Sequence, residues 1–336
     1  VKRLISFVIS VALLALLFYR VDRVQLAAYL KATHWGWFAL AIAMFVPQIG
    51  LIAWRWRQLV RLFTHVSWSE AVQQILASNT MNLILPSKLG DLAKGVFLHR
   101  MGRLDLSRAM NVVIFEKMLD VATLAAIMLV GVGALFVRGN ISGMQRHAAL
   151  FASLLGVFAV AAVAMLYFVP LEKVPALAKL IAWLATKPKL ARVERFFRAA
   201  HETITLLQSR GARRDRICAL SIAIWIAHLV QIYFFFLALN ARPLPLFQFA
   251  TMVPLAIFIG LIPLTIAGFG TRDNALVAFF PQFPPSLMVG VALYVNLRYI
   301  LPALAGLPFL GRYLVYARKF SAEKELSPEI PNKTSL

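Results

Sequence analysis

The stretch Gln74–Arg100, QILASNTMNLILPSKLGDLAKGVFLHR, is apolar enough for a bilayer yet holds Pro86, Lys88, Gly90, Asp91 and Lys94 in its middle. A continuous membrane helix does not collect proline, glycine and three charges at half depth. Each such charge costs roughly 2.5–3.5 kcal/mol at the centre of a spanning helix and usually lines a polar pathway. Non-helical backbone survives at that depth only where protein or water covers it. The stretch therefore predicts a helix, a break and a second helix facing a polar cavity. Phe247–Pro281 repeats the grammar: mostly apolar residues to Ile262, then Pro263, Gly268, Gly270, Arg272 and Asp273.

The rest of the chain decides what surrounds these breaks. Of 336 residues, 61% are hydrophobic and 15% charged, against about 25% charged in soluble domains. The mean hydropathy of +0.76 points the same way, to an all-α integral membrane protein. Its net charge of +21 does not indicate nucleic-acid binding, because the basic residues gather at the ends of apolar segments. Cytoplasmic loops carry such an excess, and an anionic membrane surface attracts it. The single cysteine, Cys218, permits no intrachain disulfide and makes no thiolate cage. The sequence calls for no metal and no cofactor.

Lys2 and Arg3 before Leu4–Phe18 imitate a signal peptide, but Tyr19-Arg20 is no cleavage site, so an uncleaved first span is expected. Further spans are predicted at Trp37–Trp54, Arg108–Phe136 with Ser107 as its N-cap, Ala148–Val169, Ile217–Leu239 and Ser286–Val315. The last is interrupted by Asn296, Arg298 and Pro302. Trp35 and Trp37 are expected to be interfacial anchors, and Arg55, Arg57 and Arg61 to mark a cytoplasmic end. Leu171–Arg216, with 11 basic and 4 acidic residues, reads as a basic cytoplasmic segment. Its amphipathic part, Ile181–Leu207, either lies on the membrane surface or is a solvated linker. Residues 1–320 form the polytopic domain, and 321–336 are expected to be a disordered cytoplasmic tail.

The charges flanking the first break are cytoplasmic and those flanking the second external, with both chain termini inside. Six spans plus two oppositely oriented re-entrant hairpins follow, the signature of an inverted repeat whose broken segments mark a midplane site.

At each break a helix restarts after glycine and charge, so unpaired N–H groups and the helix dipole face any anion there. Lys88, Lys94 and Arg272 would add full charge, Arg272 with a two-pronged grip. Gly268 and Gly270 would let backbone approach a phosphate closely. Substrate-binding candidates are therefore Lys88, Asp91, Lys94, Gly268, Gly270, Arg272 and Asp273. The plain alternative is that Asp91 neutralises Lys88 or Lys94, and Asp273 neutralises Arg272. Glu116 and Asp120 share a helix face, with Glu116 about 12 Å into its span at 1.5 Å per residue. They need cations, drawn from Lys88, Lys94, Arg272 or Arg298. With Lys117 they serve proton coupling, a cationic headgroup or a structural ion pair. His228 and Gln231 read as an interhelical hydrogen-bond pair or a proton relay.

Three runs carry a resemblance: NTMNLILPSKLGDLAKG (Asn79–Gly95), FEKMLD (Phe115–Asp120) and IPLTIAGFGTRDNAL (Ile262–Leu276). In this order they resemble the lysylphosphatidylglycerol synthase transmembrane-region family, also called the flippase-like domain family. Lys88 and Lys117 stand where the family often has arginine, and Asp91 and Asp273 where it has glutamate. The resemblance implies movement of phospholipid or lipid-linked headgroups between leaflets of the cell membrane. The soluble aminoacyl transferase that follows this region in full-length relatives lies outside this sequence, so aminoacylation is not expected of it. Two other readings stay open: an intramembrane transferase acting on a lipid phosphate with Glu116 or Asp91 as base, and a non-transporting scaffold. The expected partner is a phospholipid with a phosphate headgroup; a homo-oligomer is compatible with the sequence.

Overall fold

Polar residues placed just ahead of apolar runs set the helix starts. Asp22 accepts from the backbone N–H groups of Val24 (2.8 Å) and Gln25 (3.1 Å), opening α2 (Arg23–Lys31) after α1 (Lys2–Tyr19). Ser67 and Glu70 form a reciprocal capping box at 2.8 and 3.2 Å that starts α5 (Trp68–Ile84), satisfying two donors a helix start leaves open. The computed structural model describes residues 2–19, 21–85, 90–138, 190–209, 211–261 and 268–326, with Thr265 and scattered residues of 146–187. No strand occurs among them.

Between α2 and α5 lie α3 (Trp35–Ala43) and α4 (Phe45–Val60), joined by a turn at Met44. Pro47 lacks an N–H, which the first turn of a helix tolerates, so α4 restarts there. Ala93–Arg100 forms α6 and Leu106–Arg138 forms α7. Asp105, not Ser107, caps α7: its carboxylate accepts from Arg108 N–H at 3.1 Å, and Ser107 lies one residue inside the first turn. Then come α8 (Ala191–Ser209), α9 (Gly211–Ala238), α10 (Leu246–Leu261), α11 (Thr271–Phe279) and α12 (Pro285–Leu326).

Among the described residues, Trp35–Val60, Arg213–Ala238 and Pro285–Gly311 are long and apolar enough to cross a membrane. They correspond to the predicted second, fifth and final spans. The predicted third span is the 33-residue α7, with Glu116, Lys117 and Asp120 in its interior. The predicted fourth, Ala148–Val169, lies largely outside the described residues. Two expectations at the C-terminus need correction. The final helix is continuous through Asn296, Arg298 and Pro302, and it runs to Leu326, into the stretch expected to be disordered. Thr80 Oγ1 of α5 donates to Ala303 O at 2.7 Å, tying the final helix to α5 beside Pro302.

α12 is the central strut. Gly306 brings it against α5 so closely that a Cβ would stand 2.0 Å from Leu76 O. Gly306→Ala must push the helices apart and should cost on the order of 1–3 kcal/mol, as overpacking does, read as a lower melting temperature. α8 turns buried Ala199, Thr203 and Leu207 inward, and Asn111 on α7 donates to Phe196 O at 3.1 Å. The apolar stripe of the amphipathic segment is thus used at least partly for packing against the bundle. One apolar core gathers Phe235, Phe236, Met252, Phe280 and Met288. A second gathers Trp56, Leu59, Val112, Val113 and Leu207.

Candidate functional site

A cavity of about 140 Å³ opens where α4, α5, α6, α7, α9 and α12 meet, with Asp91 of the first break on its wall. It is roughly ten times the smallest space that holds a water. Seven charged side chains lie on its wall. Arg55 on α4, 1% exposed, is on that wall. Its Nη1 donates to Asp120 Oδ1 at 2.6 Å and to Ser221 Oγ at 3.1 Å, and its Nη2 to Glu116 Oε1 at 3.1 Å. Glu116 also takes a very short hydrogen bond from Lys94 Nζ, which sits 4.6 Å from the centre of the Trp56 ring. Lys117 Nζ bridges Asp91 (2.8 Å) and Asp120 (3.1 Å). Asn82 Nδ2 donates to Asp91 at 3.1 Å and Trp225 Nε1 to Asp120 at 3.3 Å. Buried charges are stable only when paired and hydrogen-bonded in this way.

The break makes the arrangement possible. α5 ends at Ile84 and the chain folds back so tightly that a Cβ on Gly90 would lie 2.3 Å from Asn82 N. Residues 90–92 make one tight turn before α6. That turn carries Asp91 and Lys94 to different partners on α7, Lys117 and Glu116. Lys88 lies outside the described residues.

At the second break, Gly268 and Gly270 adopt φ of +77° and +86°, a conformation that glycine alone enters cheaply. Both glycines also permit close packing: Gly268 meets Gly260 of α10, and Gly270 meets Ser10 and Leu13 of α1. Arg272 and Asp273 are 2% and 1% exposed. Asp273 accepts from Gly270 N–H at 3.0 Å, from Arg272 at 3.3 Å and from Asn296 Nδ2 at 3.3 Å. Arg272 closes the ring with a very short bond to Asn296 Oδ1 and lies 4.5 Å from the centre of the Tyr299 ring. Neither Arg272 nor Asp273 is on the cavity wall, whereas Arg298 and Tyr299 are. The two breaks are therefore linked through α12.

Among the described residues, Lys94 is the only one of the expected carboxylate partners that the structure pairs with Glu116; Arg272 pairs with Asp273, and Arg298 lies beside the Tyr299 ring. Arg55 was missed as a partner because it leads a basic run that reads as the end of a span. A usable signal exists: Gln48, Ile52 and Arg55 follow helical spacing, which puts Arg55 on the inward face. Gln231 does form an interhelical bond, donating to Ala41 O at 2.8 Å and accepting from Gln48 at 3.1 Å. His228 instead packs edge-on against Trp225, ring centres 5.4 Å apart, on the cavity wall.

An apolar all-helical chain with a buried, ion-lined cavity between its helices is an integral membrane protein. The chain belongs to the family described as the lysylphosphatidylglycerol synthase TM region, which it matches over residues 3–306 of its 336. That membership ties it to lipid-related function. A comparison with curated proteins finds no match.

Proposed function

We propose that this protein moves phospholipid or lipid-linked headgroups between the leaflets of the cell membrane, with the cavity between α4, α5, α7, α9 and α12 as the headgroup's stopping place. The observation that carries this reading is a polar, charged cavity inside an apolar helical bundle of this family. A headgroup crossing hydrocarbon needs such a shelter, because isolated charge in hydrocarbon costs several kcal/mol or more. The helix pairs α5/α6 and α10/α11 act as re-entrant hairpins entering from opposite faces, with both termini in the cytoplasm. Basic residues after α6 and through α8 favour that orientation. An intramembrane transferase is less well supported, because Glu116 and Asp91, its candidate bases, are both held in ion pairs.

Reconstitution tests the reading. In liposomes carrying a fluorescent phospholipid in both leaflets, the purified protein should expose the inner-leaflet label to an impermeant quencher. Protein-free liposomes should leave about half of it protected. Equal protection with and without protein, across several headgroups and with an imposed ion gradient, would overturn it.

A further inference from the structure

We infer that the cavity is built for a headgroup of net negative charge, a monoanionic phosphodiester, and discriminates against headgroups bearing an ammonium group. The inference rests on the reading of the cavity as a headgroup site and adds its charge preference. Its described lining holds four cations, Arg55, Lys94, Lys117 and Arg298, and three carboxylates, Asp91, Glu116 and Asp120. These side chains leave a surplus of one positive charge.

That surplus has an address. Arg55, Lys94 and Lys117 are all bonded to carboxylates. Arg298 pairs with no carboxylate among the described residues, and its Nη1 is buried without a hydrogen-bond partner there. Its guanidinium lies beside the Tyr299 ring, 5.2 Å from its centre, and both residues face the cavity. A buried donor left unmet is costly, and a phosphodiester oxygen would satisfy it along with the charge.

The carboxylates are in the opposite condition. Asp91 is taken by Lys117 and Asn82, Glu116 by Arg55 and Lys94, and Asp120 by Arg55, Lys117 and Trp225. An incoming ammonium group finds no free counter-ion without breaking one of these pairs. One buried neutral acceptor on the wall is the side-chain oxygen of Asn82, which suits a hydroxyl. A phosphate ester with a hydroxylated, uncharged head matches the Arg298 donor and the Asn82 acceptor.

Equilibrium binding to the detergent-solubilised full chain tests this without requiring transport. The probes are short-chain phosphatidylglycerol, phosphatidylcholine and lysyl-phosphatidylglycerol. Phosphatidylglycerol should bind roughly tenfold to a hundredfold more tightly than either of the others, because all three bring a phosphodiester but the other two also bring an ammonium group into a positively charged site with no free carboxylate. Arg298→Gln should erase the preference, while Arg298→Lys should keep it at weaker affinity. Equal or tighter binding of phosphatidylcholine or lysyl-phosphatidylglycerol by the native chain would overturn the inference, whatever the variants' folding. So would an Arg298→Gln protein that keeps the native preference. Glycerophosphoglycerol, the same headgroup without acyl chains, separates the two proposals. If it binds as tightly as the lipid, the charge preference stands and the seat belongs to a soluble phosphodiester, which counts against translocation alone.

Discussion

Glu116→Gln should destabilise the protein by about 3 kcal/mol, the lower end of the cost of removing one partner of a buried ion pair. The lower end applies because the amide can still hydrogen-bond. Glu116 is the carboxylate that both Lys94 and Arg55 reach. Without its charge, Arg55 keeps Asp120 and Ser221, but the Lys94 ammonium, 2% exposed, keeps only a neutral amide oxygen and the Trp56 ring. A cation over an aromatic face recovers at most about 2 kcal/mol. Lys94→Met alone should cost less, since Glu116 stays paired with Arg55. Glu116→Gln with Lys94→Met should recover much of the loss, because replacing both members of a buried pair is far cheaper than stranding one. Thermal unfolding of the four proteins, followed by lipid transport, reads this directly. A Glu116→Gln protein that melts like the native one but no longer transports would assign the carboxylate to coupling instead.

The pattern of hits and misses around Glu116 follows from what local sequence encodes. Proline, glycine and charge inside an apolar run declare that a helix must break, and both breaks are where that grammar puts them: α5 ends at Ile84 and α10 at Leu261. Which partner a charge finds across the break is set by the angle at which the chain re-enters. Lys94 is three residues from Asp91, yet the tight turn at 90–92 gives Asp91 to Lys117 and Lys94 to Glu116. Arg272 and Asp273, adjacent in the first turn of α11, do pair. Arg55 illustrates the converse. Charge statistics treat arginines at the end of an apolar run alike, but Arg55 points inward while Arg57 reaches back to Val66 O at 3.1 Å. Helix phase distinguishes them, and composition does not.

Glycine shows the same limit. Gly268 and Gly270 are legible as positions needing backbone freedom, and their positive φ values agree. Sequence alone could not say whether the close approach they allow is to a ligand or to another helix. In the structure α1 and α10 occupy that space. In the proposed headgroup site the anion is met by α12 instead, through Arg298, which the sequence offered only as a counter-ion.

Arg272 separates these two assignments most sharply. If it pins α11 to α12, Arg272→Ala strands the Asp273 carboxylate with only the Gly270 N–H and the Asn296 amide. Asp273→Ala strands the guanidinium with Asn296 and the Tyr299 and Phe269 rings. Each change should cost about 3–5 kcal/mol, as breaking a buried pair does. The double variant should cost clearly less than the sum, with a coupling energy toward the upper end of the roughly 0.5–3 kcal/mol seen for contacting residues. Arg272→Lys keeps the charge and loses the fork that reaches Asp273 and Asn296 together, so it should lower the melting temperature. Phosphatidylglycerol affinity should remain native in its folded fraction, because the side chain lies off the cavity wall. The opposite result, a lysine variant that melts normally and binds the lipid tenfold more weakly, would return the headgroup to the second break. Measured beside Arg298→Lys on the same lipid, the pair of variants shows which arginine the phosphate meets.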